Sequence, residues 1–292
     1  MKVFVLFFLA CATSVYADHF IEFDWSNVKP VREIPGFWEK RHVSLRPRAS
    51  NTPRRRIVNG EIATPHQFPY QAGLLFQFTG GTALCGGALI SARTVLTAAH
   101  CVDVSSGGTV VLGAQFINQV EATQQRIPVT TAGIVLHPQW DPSLIRNDVA
   151  VLHLSTPATL SNIVSLIDLP PPESVTTFEN FPATVSGWGR FDDNLPQSSD
   201  VLRFYRGTIL SQANCILRFP GVVQPSNICL SGLNNGGACQ GDSGGPLTTT
   251  YNGRHTHIGI VSFGLALGCE LLWPSVFART SFYNDWITAN TV

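Results

Sequence analysis

The chain is organised around the ten residues Gly237-Ala238-Cys239-Gln240-Gly241-Asp242-Ser243-Gly244-Gly245-Pro246. One hydroxyl group, that of Ser243, stands among four glycines and directly after a carboxylate. Glycine lets the backbone turn tightly and approach a bound group closely, so the N–H groups of Gly241 and Ser243 are candidates to stabilise an oxyanion during acyl transfer. Turns of this composition are common, and most carry no chemistry. The pattern points to catalysis only if the chain also supplies a base and an acid that orients the base.

Two further blocks supply these partners. His100 follows small residues in Thr97-Ala98-Ala99-His100-Cys101, and Asp148 opens the apolar run Asp148-Val149-Ala150-Val151-Leu152. A serine becomes an effective nucleophile when a histidine takes its proton and a carboxylate holds the histidine ring in the right tautomer. The chain order His, Asp, Ser is one of three orders in which this triad recurs. We therefore expect His100, Asp148 and Ser243 to form a catalytic triad.

At these residues the sequence resembles the trypsin/chymotrypsin family of serine endopeptidases, over about residues 57–292. Four motifs agree in order: Ile57-Val58-Asn59-Gly60 and the blocks around His100, Asp148 and Ser243. The resemblance implies an all-β fold of two six-stranded antiparallel barrels with the active site between them. It also implies an acyl-enzyme mechanism with no cofactor. A related binding protein that no longer cuts is the remote alternative, disfavoured because such proteins usually lose a triad residue.

The apolar pattern of the body favours the same fold class. Short apolar runs are separated by clusters of Gly, Pro, Asn and Ser, which is typical of a sandwich or barrel. These runs are 83–90, 109–112, 133–136, 149–154 and 257–263. At the end of the chain, Phe282, Trp286 and Ile287 recur at helical spacing and predict a closing helix over 281–290.

The first seventeen residues have the pattern of a secretory signal peptide. Lys2 precedes an apolar run over 3–12, and small residues lead to Ala17. The run is shorter than the roughly 20 residues that a membrane-spanning helix needs, and no later stretch is long enough. We therefore expect a secreted, extracellular protein without a membrane partner.

Cysteine usage agrees with that compartment. Cys11 would leave with the signal peptide, and the six remaining cysteines can pair completely, in any of fifteen ways. Spacing alone does not select one pairing. The family resemblance implies Cys85–Cys101, Cys215–Cys229 and Cys239–Cys269. A metal site is a poor alternative because no two cysteines lie at ligand spacing.

Residues 18–56, which we call the leader, differ in composition from the rest of the chain. The leader holds nine Lys and Arg residues against five acidic ones, whereas residues 57–292, the body, hold nine Arg, no Lys and fourteen acidic residues, a formal charge of −5. A basic segment before an acidic body predicts an activation propeptide. The sequence is equally consistent with a leader that packs on the body and with one that stays solvated. The predicted organisation is a signal peptide over 1–17, a propeptide over 18–56 and a serine protease domain over 57–292.

The junction between Arg56 and Ile57 is the expected activation site. In the resembling family, cleavage there frees an α-amine that folds inward and pairs with the aspartate before the serine, here Asp242. A buried charge must be paired, so the amine and Asp242 can be buried only together. Pro53 stands four residues before the cut, where a furin-like enzyme would need arginine. This favours a trypsin-like activating protease.

The same register places the pocket that selects the substrate. The resemblance implies a floor at Gly237, with Gly264 and Ser275 as walls. It also implies that Ser262 belongs to the segment that pairs with the substrate backbone. No acid stands at these positions, so we expect cleavage after Phe, Tyr, Leu or Met, with Glu270 facing solvent. Crustacean and insect brachyurins, the collagenolytic branch, also resemble this chain in having glycine at the floor, but their broad enzymes often carry aspartate where Ser275 stands.

These expectations describe a secreted, digestive serine endopeptidase made as a zymogen. A broad collagenolytic or elastase-like protease is the alternative. Expected partners are protein or peptide substrates, a trypsin-like activator and protein inhibitors, and the enzyme is expected to be a monomer. No metal is expected, because the loop 119–126 holds one acid where calcium-binding relatives carry several. The body has no basic stripe, which excludes nucleic acid as a partner.

Overall fold

The computed structural model describes residues 23–41, 60–170, 176–192, 197–233, 236–264, 269 and 273–292. The predicted signal peptide, the Arg56–Ile57 junction and Glu270 lie outside these residues. In chain order the strands and helices are β1 (Val28–Pro30), β2 (Glu61–Ile62), β3 (Gln71–Phe78), β4 (Gly81–Ser91), β5 (Thr94–Thr97), β6 (Gly108–Leu112), β7 (Gln125–Val129), β8 (Ile134–Leu136), β9 (Ala150–His153), β10 (Pro182–Gly187), β11 (Arg203–Thr208), α1 (Gln212–Arg218), β12 (Asn227–Leu230), β13 (Pro246–Tyr251), β14 (Arg254–Phe263), β15 (Ser275–Arg279) and α2 (Thr280–Ala289).

Apart from β2, the strands of the body form two sheets that succeed each other along the chain. The first has the order β7-β6-β3-β4-β5-β9-β8, and the leader strand β1 adds to it by pairing with β4. The second has the order β12-β15-β14-β13-β10-β11-β2. Within the body all strand pairs are antiparallel. Each sheet thus contains one short body strand more than the six that were predicted.

Strand β3 shows how the two sheets obtain their cores. Successive side chains of a strand point to opposite faces, yet Leu74, Leu75 and Phe76 are all buried. Leu74 and Phe76 pack in the core of the first sheet, whereas Leu75 packs in a second cluster around Trp188. Both faces of β3 are therefore covered, which explains an unbroken apolar run in place of an alternating one.

The five predicted apolar runs each coincide with a strand, namely β4, β6, β8, β9 and β14. Helix α1 is not predicted, because its seven residues show no apolar periodicity: Cys215 is buried while Ile216 and Leu217 are exposed. Its start is fixed by Ser211, whose side chain accepts a hydrogen bond from the Asn214 N–H, an arrangement typical of a helix N-cap.

Helix α2 closes the chain as predicted, but with a different buried face. Tyr283 and Ile287, four residues apart, pack into the core of the first sheet. Each step along a helix rotates the side chain by about 100°. Phe282, one residue before the buried Tyr283, therefore points away from the core and is 58% exposed. Helical spacing thus predicted the helix correctly, although Phe282, one of the three residues that indicated it, faces away from the core.

Hydrogen bonds join the two sheets near their common boundary. The Ser186 hydroxyl donates to Oε1 of Gln71 at 2.6 Å, and the Gly86 N–H donates to the Ser243 carbonyl at 2.7 Å. The Tyr70 hydroxyl bonds to that of Thr248 at 3.2 Å. The loop that carries Ser243 is thereby held against β4 of the first sheet.

Candidate active site

The pairing of β5 with β9 brings His100 and Asp148 together. Thr97 lies opposite Ala150, so the turn Ala99–Cys101 after β5 meets the residues just before β9. His100 N donates to Oδ1 of Asp148 at 2.9 Å, and His100 Nδ1 lies 2.7 Å from Oδ2 of Asp148. These two bonds fix both the position and the ring orientation of the histidine.

Asp148 is buried and holds three hydrogen bonds. Besides the two from His100, the Ser262 hydroxyl donates to Oδ2 at 2.5 Å. Burial opposes the ionisation of Asp148, but the His100 ring and these hydrogen bonds outweigh it and hold the pKa of Asp148 below its ordinary value. Asp148 is therefore a stable carboxylate that can favour a cationic ring on His100.

Ser243 reaches the same place from the second sheet, on the loop that leads into β13. Gly244 comes directly after it with φ +78°, and an added Cβ there would lie 2.2 Å from Oγ1 of Thr97 and 3.1 Å from Sγ of Cys101. Only glycine permits so close an approach between the serine loop and the turn that carries His100. Among the described residues, no hydrogen bond joins the Ser243 hydroxyl to the ring; such bonds often form only when substrate binds.

The N–H groups of Gly241 and Ser243 donate to no acceptor within the described parts of the chain. Gly241 has φ +100°, which L side chains rarely adopt. A Cβ at this position would also lie 2.9 Å from Cα of Gly189. The turn before Ser243 therefore depends on glycine, and it leaves two backbone donors available to an oxygen atom of a bound group.

Asp242 points away from Ser243, toward β10 and the residues after it. Its Oδ1 accepts a hydrogen bond from Gly189 N at 2.7 Å and its Oδ2 accepts one from Cys239 N at 2.9 Å. A Cβ on Gly187 would lie 2.2 Å from this carboxylate, and one on Gly189 would lie 2.5 Å from it. The carboxylate therefore fits here only because both residues lack a side chain. Burial raises the pKa of Asp242 to about 6 even though the two hydrogen bonds lower it.

The predicted pocket is a slot beside Ser243. Its lining includes Gly264, Cys269 and Ser275. No described residue lies within 4 Å of an added Cβ on Gly264, whereas a Cβ on Gly237 would meet Oγ of Ser275 at 2.6 Å. Gly237 and Ser275 therefore lie against each other, but Ser275 lines the slot whereas Gly237 lines the neighbouring cavity around Asp242. The assignment of Gly237 as the floor stays a prediction.

A sequence profile of the family described as Trypsin matches residues 57–287. The chain belongs to the trypsin family.

Relatives within the trypsin family extend this finding. The chain is 40% identical over 235 residues to brachyurin of Leptuca pugilator, covering 80% of this chain and 98% of that protein. It is 39% identical over 240 residues to chymotrypsin of Phaedon cochleariae, covering 82% and 83%. Human chymotrypsin-like elastase family member 3A is 35% identical, with 80% and 87% covered. The chain is thus a chymotrypsin-like serine protease.

A solved structure of HL collagenase supports the fold. It has a TM-score of 0.72 and 33% identity, with 80% of this chain and 98% of that chain covered. The predicted all-β, two-barrel architecture with a C-terminal helix is confirmed. Three disulfides join the pairs that the trypsin-family resemblance implies, Cys85–Cys101, Cys215–Cys229 and Cys239–Cys269.

The structure also assigns contacts that sequence reasoning did not foresee. The Ser262 hydroxyl bonds Asp148, whereas the sequence suggested only a backbone role for this residue. The space around Asp242 depends on Gly187 and Gly189, for which the sequence Ser186-Gly187-Trp188-Gly189 was the available signal. No helix in the described part of the chain is long and apolar enough to cross a membrane.

Proposed function

We propose that this chain is a secreted zymogen whose active form hydrolyses peptide bonds after large apolar residues, in a digestive role. The observation that carries the proposal is the hydrogen-bonded pair of His100 and Asp148 next to Ser243, beside a slot whose described lining contains no acid.

Each residue then has a defined role in the mechanism. The Ser243 Oγ attacks the carbonyl carbon of the substrate while Nε2 of His100 takes its proton. The N–H groups of Gly241 and Ser243 stabilise the resulting oxyanion. His100 returns the proton to the leaving amine, and a water molecule, activated by the same ring, releases the acyl group from Ser243. Asp148 stabilises the cationic ring in both steps.

Zymogen activation rests on the surroundings of Asp242. Gly60 lines the same small cavity as Asp242 and Gly187, and Ile57 precedes it by three residues, a span of up to about 10 Å. The α-amine released by cleavage after Arg56 can therefore reach Asp242. An ammonium there would neutralise a carboxylate whose burial otherwise disfavours its charge.

The proposed preference for large apolar residues before the cleaved bond rests on the lining of the slot. A cationic side chain would lose water without meeting a carboxylate at Gly237 or Ser275, whereas burying a large apolar side chain gains about 1.5 to 3 kcal/mol. The similarity to brachyurin and to HL collagenase favours a broader, collagenolytic protease as the second candidate.

The experiment is activation of the purified chain by limited trypsin treatment. N-terminal sequencing of the active form should begin Ile57-Val58-Asn59-Gly60, and peptidase activity should appear together with that terminus. A chain in which Arg56 and its two preceding arginines are replaced by Gln should stay inactive under the same treatment. Full activity in a form that begins elsewhere would contradict the proposed activation.

A further inference from the structure

The described part of the leader, residues 23–41, lies against the body. Strand β1 pairs in parallel with β4, with Val28 opposite Thr82 and Pro30 opposite Leu84. Side chains just after β1 are buried: Val31 is 0% exposed and packs in the core of the first sheet together with Ile34. A solvated leader would leave these side chains in water, so the two arrangements that the sequence left open are now distinguished.

The body has space for this segment at the turn before β4. An added Cβ on Gly80 would lie 2.7 Å from Cδ of Pro35. A proline ring cannot bend away as a flexible side chain can, so any side chain at Gly80 would displace the leader. Gly80 lies outside the left-handed region and is far from Ser243 in the chain, so the leader is the group that limits this position.

Phe37 covers the catalytic histidine. Its ring packs edge-on against that of His100, with the centroids 6.0 Å apart and the planes at 78°. The guanidinium of Arg41 lies 4.0 Å from the centroid of Phe37, and Nη2 of Arg41 lies 3.5 Å from Oδ2 of Asp103. Asp103 is three residues after His100, so the leader contacts the segment that carries His100, the proposed general base.

Arg32 covers the slot beside Ser243. It lines that slot, and its Nη2 donates a 2.5 Å hydrogen bond to the carbonyl of Ser262. The sequence assigns the segment around Ser262 to pairing with the substrate backbone. A leader side chain therefore takes an acceptor that a substrate N–H would need. Burial lowers the pKa of Arg32 to about 10 despite the attraction of Asp148, so the guanidinium enters the site as a cation.

Glu33 ties the leader to the second sheet. Its Oε1 lies 2.5 Å from Nη2 of Arg190, the residue after Gly189, whose N–H bonds Asp242. With β1 on the first sheet and Glu33 on Arg190, the leader spans the boundary between the two sheets. Substrate must enter along that boundary.

We propose that residues 23–41 are a built-in inhibitor that binds the cleft face of the body. Phe37 covers His100, and Arg32 covers the slot. The segment inhibits the enzyme as part of the intact chain and also when it is added as a free peptide. The inhibitory part rests on the proposed peptidase function, whereas binding to the cleft does not. The leader backbone pairs with β4, and its contact with Ser262 comes from a side chain. It thus occupies the cleft without adopting the backbone pairing expected of a substrate.

Charge adds to this fit. The docked segment, residues 23–41, carries four basic and three acidic residues, a formal charge of +1, against a body charge of −5. Opposite net charges favour association and are screened at high ionic strength. Binding should therefore weaken as salt is raised, although the apolar contacts of Val31, Ile34 and Phe37 do not depend on salt.

The first test measures binding without activity, in the full chain with Ser243→Ala. Amide hydrogen exchange in residues 28–37 should be at least tenfold slower than in the same segment of a free peptide. The protection should be lost in the double variant Phe37→Ala/Arg41→Gln and reduced in Gly80→Ala, which changes no residue of the leader or of the triad. Lys29→Gln, which removes the same charge from an exposed position, should retain it. Equal exchange in chain and peptide would overturn the proposal.

The second test measures inhibition of the wild-type enzyme after activation by trypsin. A synthetic peptide of residues 23–41 should compete with a small anilide substrate, and Phe37→Ala/Arg41→Gln in the peptide should raise its Ki at least tenfold, while Lys29→Gln changes it less than threefold. Protection in the first test without inhibition of an active enzyme overturns the inhibitory role. An enzyme that turns over no substrate contradicts the proposed function instead, and exchange alone then decides whether the leader binds.

Discussion

The hydroxyl of Ser262 donates its hydrogen bond to Oδ2 of Asp148, the same oxygen that lies 2.7 Å from Nδ1 of His100. Two donors from different parts of the chain thus converge on one carboxylate oxygen. We expect Ser262→Ala to lower kcat about tenfold with little change in KM, because a hydrogen bond to a charged group is worth about 1.5 to 3 kcal/mol and the Ser262 carbonyl stays in place. Steady-state kinetics test this. Ser106→Ala, which removes an exposed hydroxyl, is the control. An unchanged kcat in Ser262→Ala would contradict the role.

Replacement of the proposed nucleophile should abolish the chemistry and leave the fold intact. Ser243→Ala should lower kcat by roughly 10⁴-fold or more, and His100→Ala should do the same, because triad residues act as a unit. Circular dichroism and the urea midpoint should match those of the parent chain. A folded Ser243→Ala protein that keeps a tenth of the parent kcat would refute the assignment.

The environment of Asp242 predicts a pH dependence of stability that cleavage removes. In the uncut chain the pKa of Asp242 is raised to about 6, so the folded state holds a proton that the unfolded chain releases at lower pH. The free energy of unfolding should therefore fall by about 1 to 3 kcal/mol as pH rises from about 4 to about 6. Urea unfolding in the Ser243→Ala background measures this.

After cleavage behind Arg56, an ammonium of Ile57 paired with Asp242 would favour the carboxylate, and that fall should disappear. The stabilisation by the amine should instead be lost at alkaline pH, since a free α-amine titrates near ~8. Identical pH profiles for cut and uncut protein would show that Ile57 does not reach Asp242.

The slot predicts which bonds are cut. With peptide anilides that differ only in the residue before the cut, kcat/KM for Phe, Tyr or Leu should exceed that for Arg or Lys at least a hundredfold, because each ~1.4 kcal/mol is a factor of ten and an unpaired buried charge costs several. Ala should fall below the large apolar residues because it underfills the slot. Dominant turnover of Ala would favour an elastase-like enzyme instead.

An acid at the base should redirect this preference. Gly237→Asp alone must displace the Ser275 hydroxyl, which lies 2.6 Å from the new Cβ. The double variant Gly237→Asp/Ser275→Gly removes that clash and should shift kcat/KM toward Arg more than the single variant does. Ser275→Gly alone is the matched control and should still prefer Phe.

The disulfide between Cys239 and Cys269 should matter for both stability and substrate choice. It closes a loop of 30 residues beside the slot, worth about 3 to 4 kcal/mol by loop entropy. Replacing both cysteines by Ser should lower the free energy of unfolding by that amount and lower the ratio of Phe to Ala turnover. The same replacement at Cys215 and Cys229, which pack against Phe263 and Trp273 but do not themselves line the slot, should lower stability with a smaller change in that ratio.

Much of this site could be predicted from sequence because its signals are local. The blocks around His100, Asp148 and Ser243 are each a few consecutive residues long, so they can be recognised without knowledge of the fold. The strands of the body were likewise evident from short apolar runs between turn residues.

Other features depend on partners distant in the chain. The Ser262 hydroxyl bonds a carboxylate 114 residues away, and no local pattern specifies that contact. Phe37 and Arg41 had no motif at all, because their partners, His100 and Asp103, are brought to them only by the fold. The buried face of α2 depended on one residue of rotation, which the spacing of three apolar side chains did not determine.

The docked leader has no cysteine, so nothing covalent holds it to the body once the chain is cut. Cleavage and release are then separate events, and the second depends on concentration. At high protein concentration, freed leader would rebind and keep the cut enzyme inactive. Dilution into a large volume would lower the concentrations of the freed leader and of the cut enzyme, and the two would dissociate. The specific activity of a freshly cut sample should accordingly rise on dilution, so that dilution itself becomes the final step of activation.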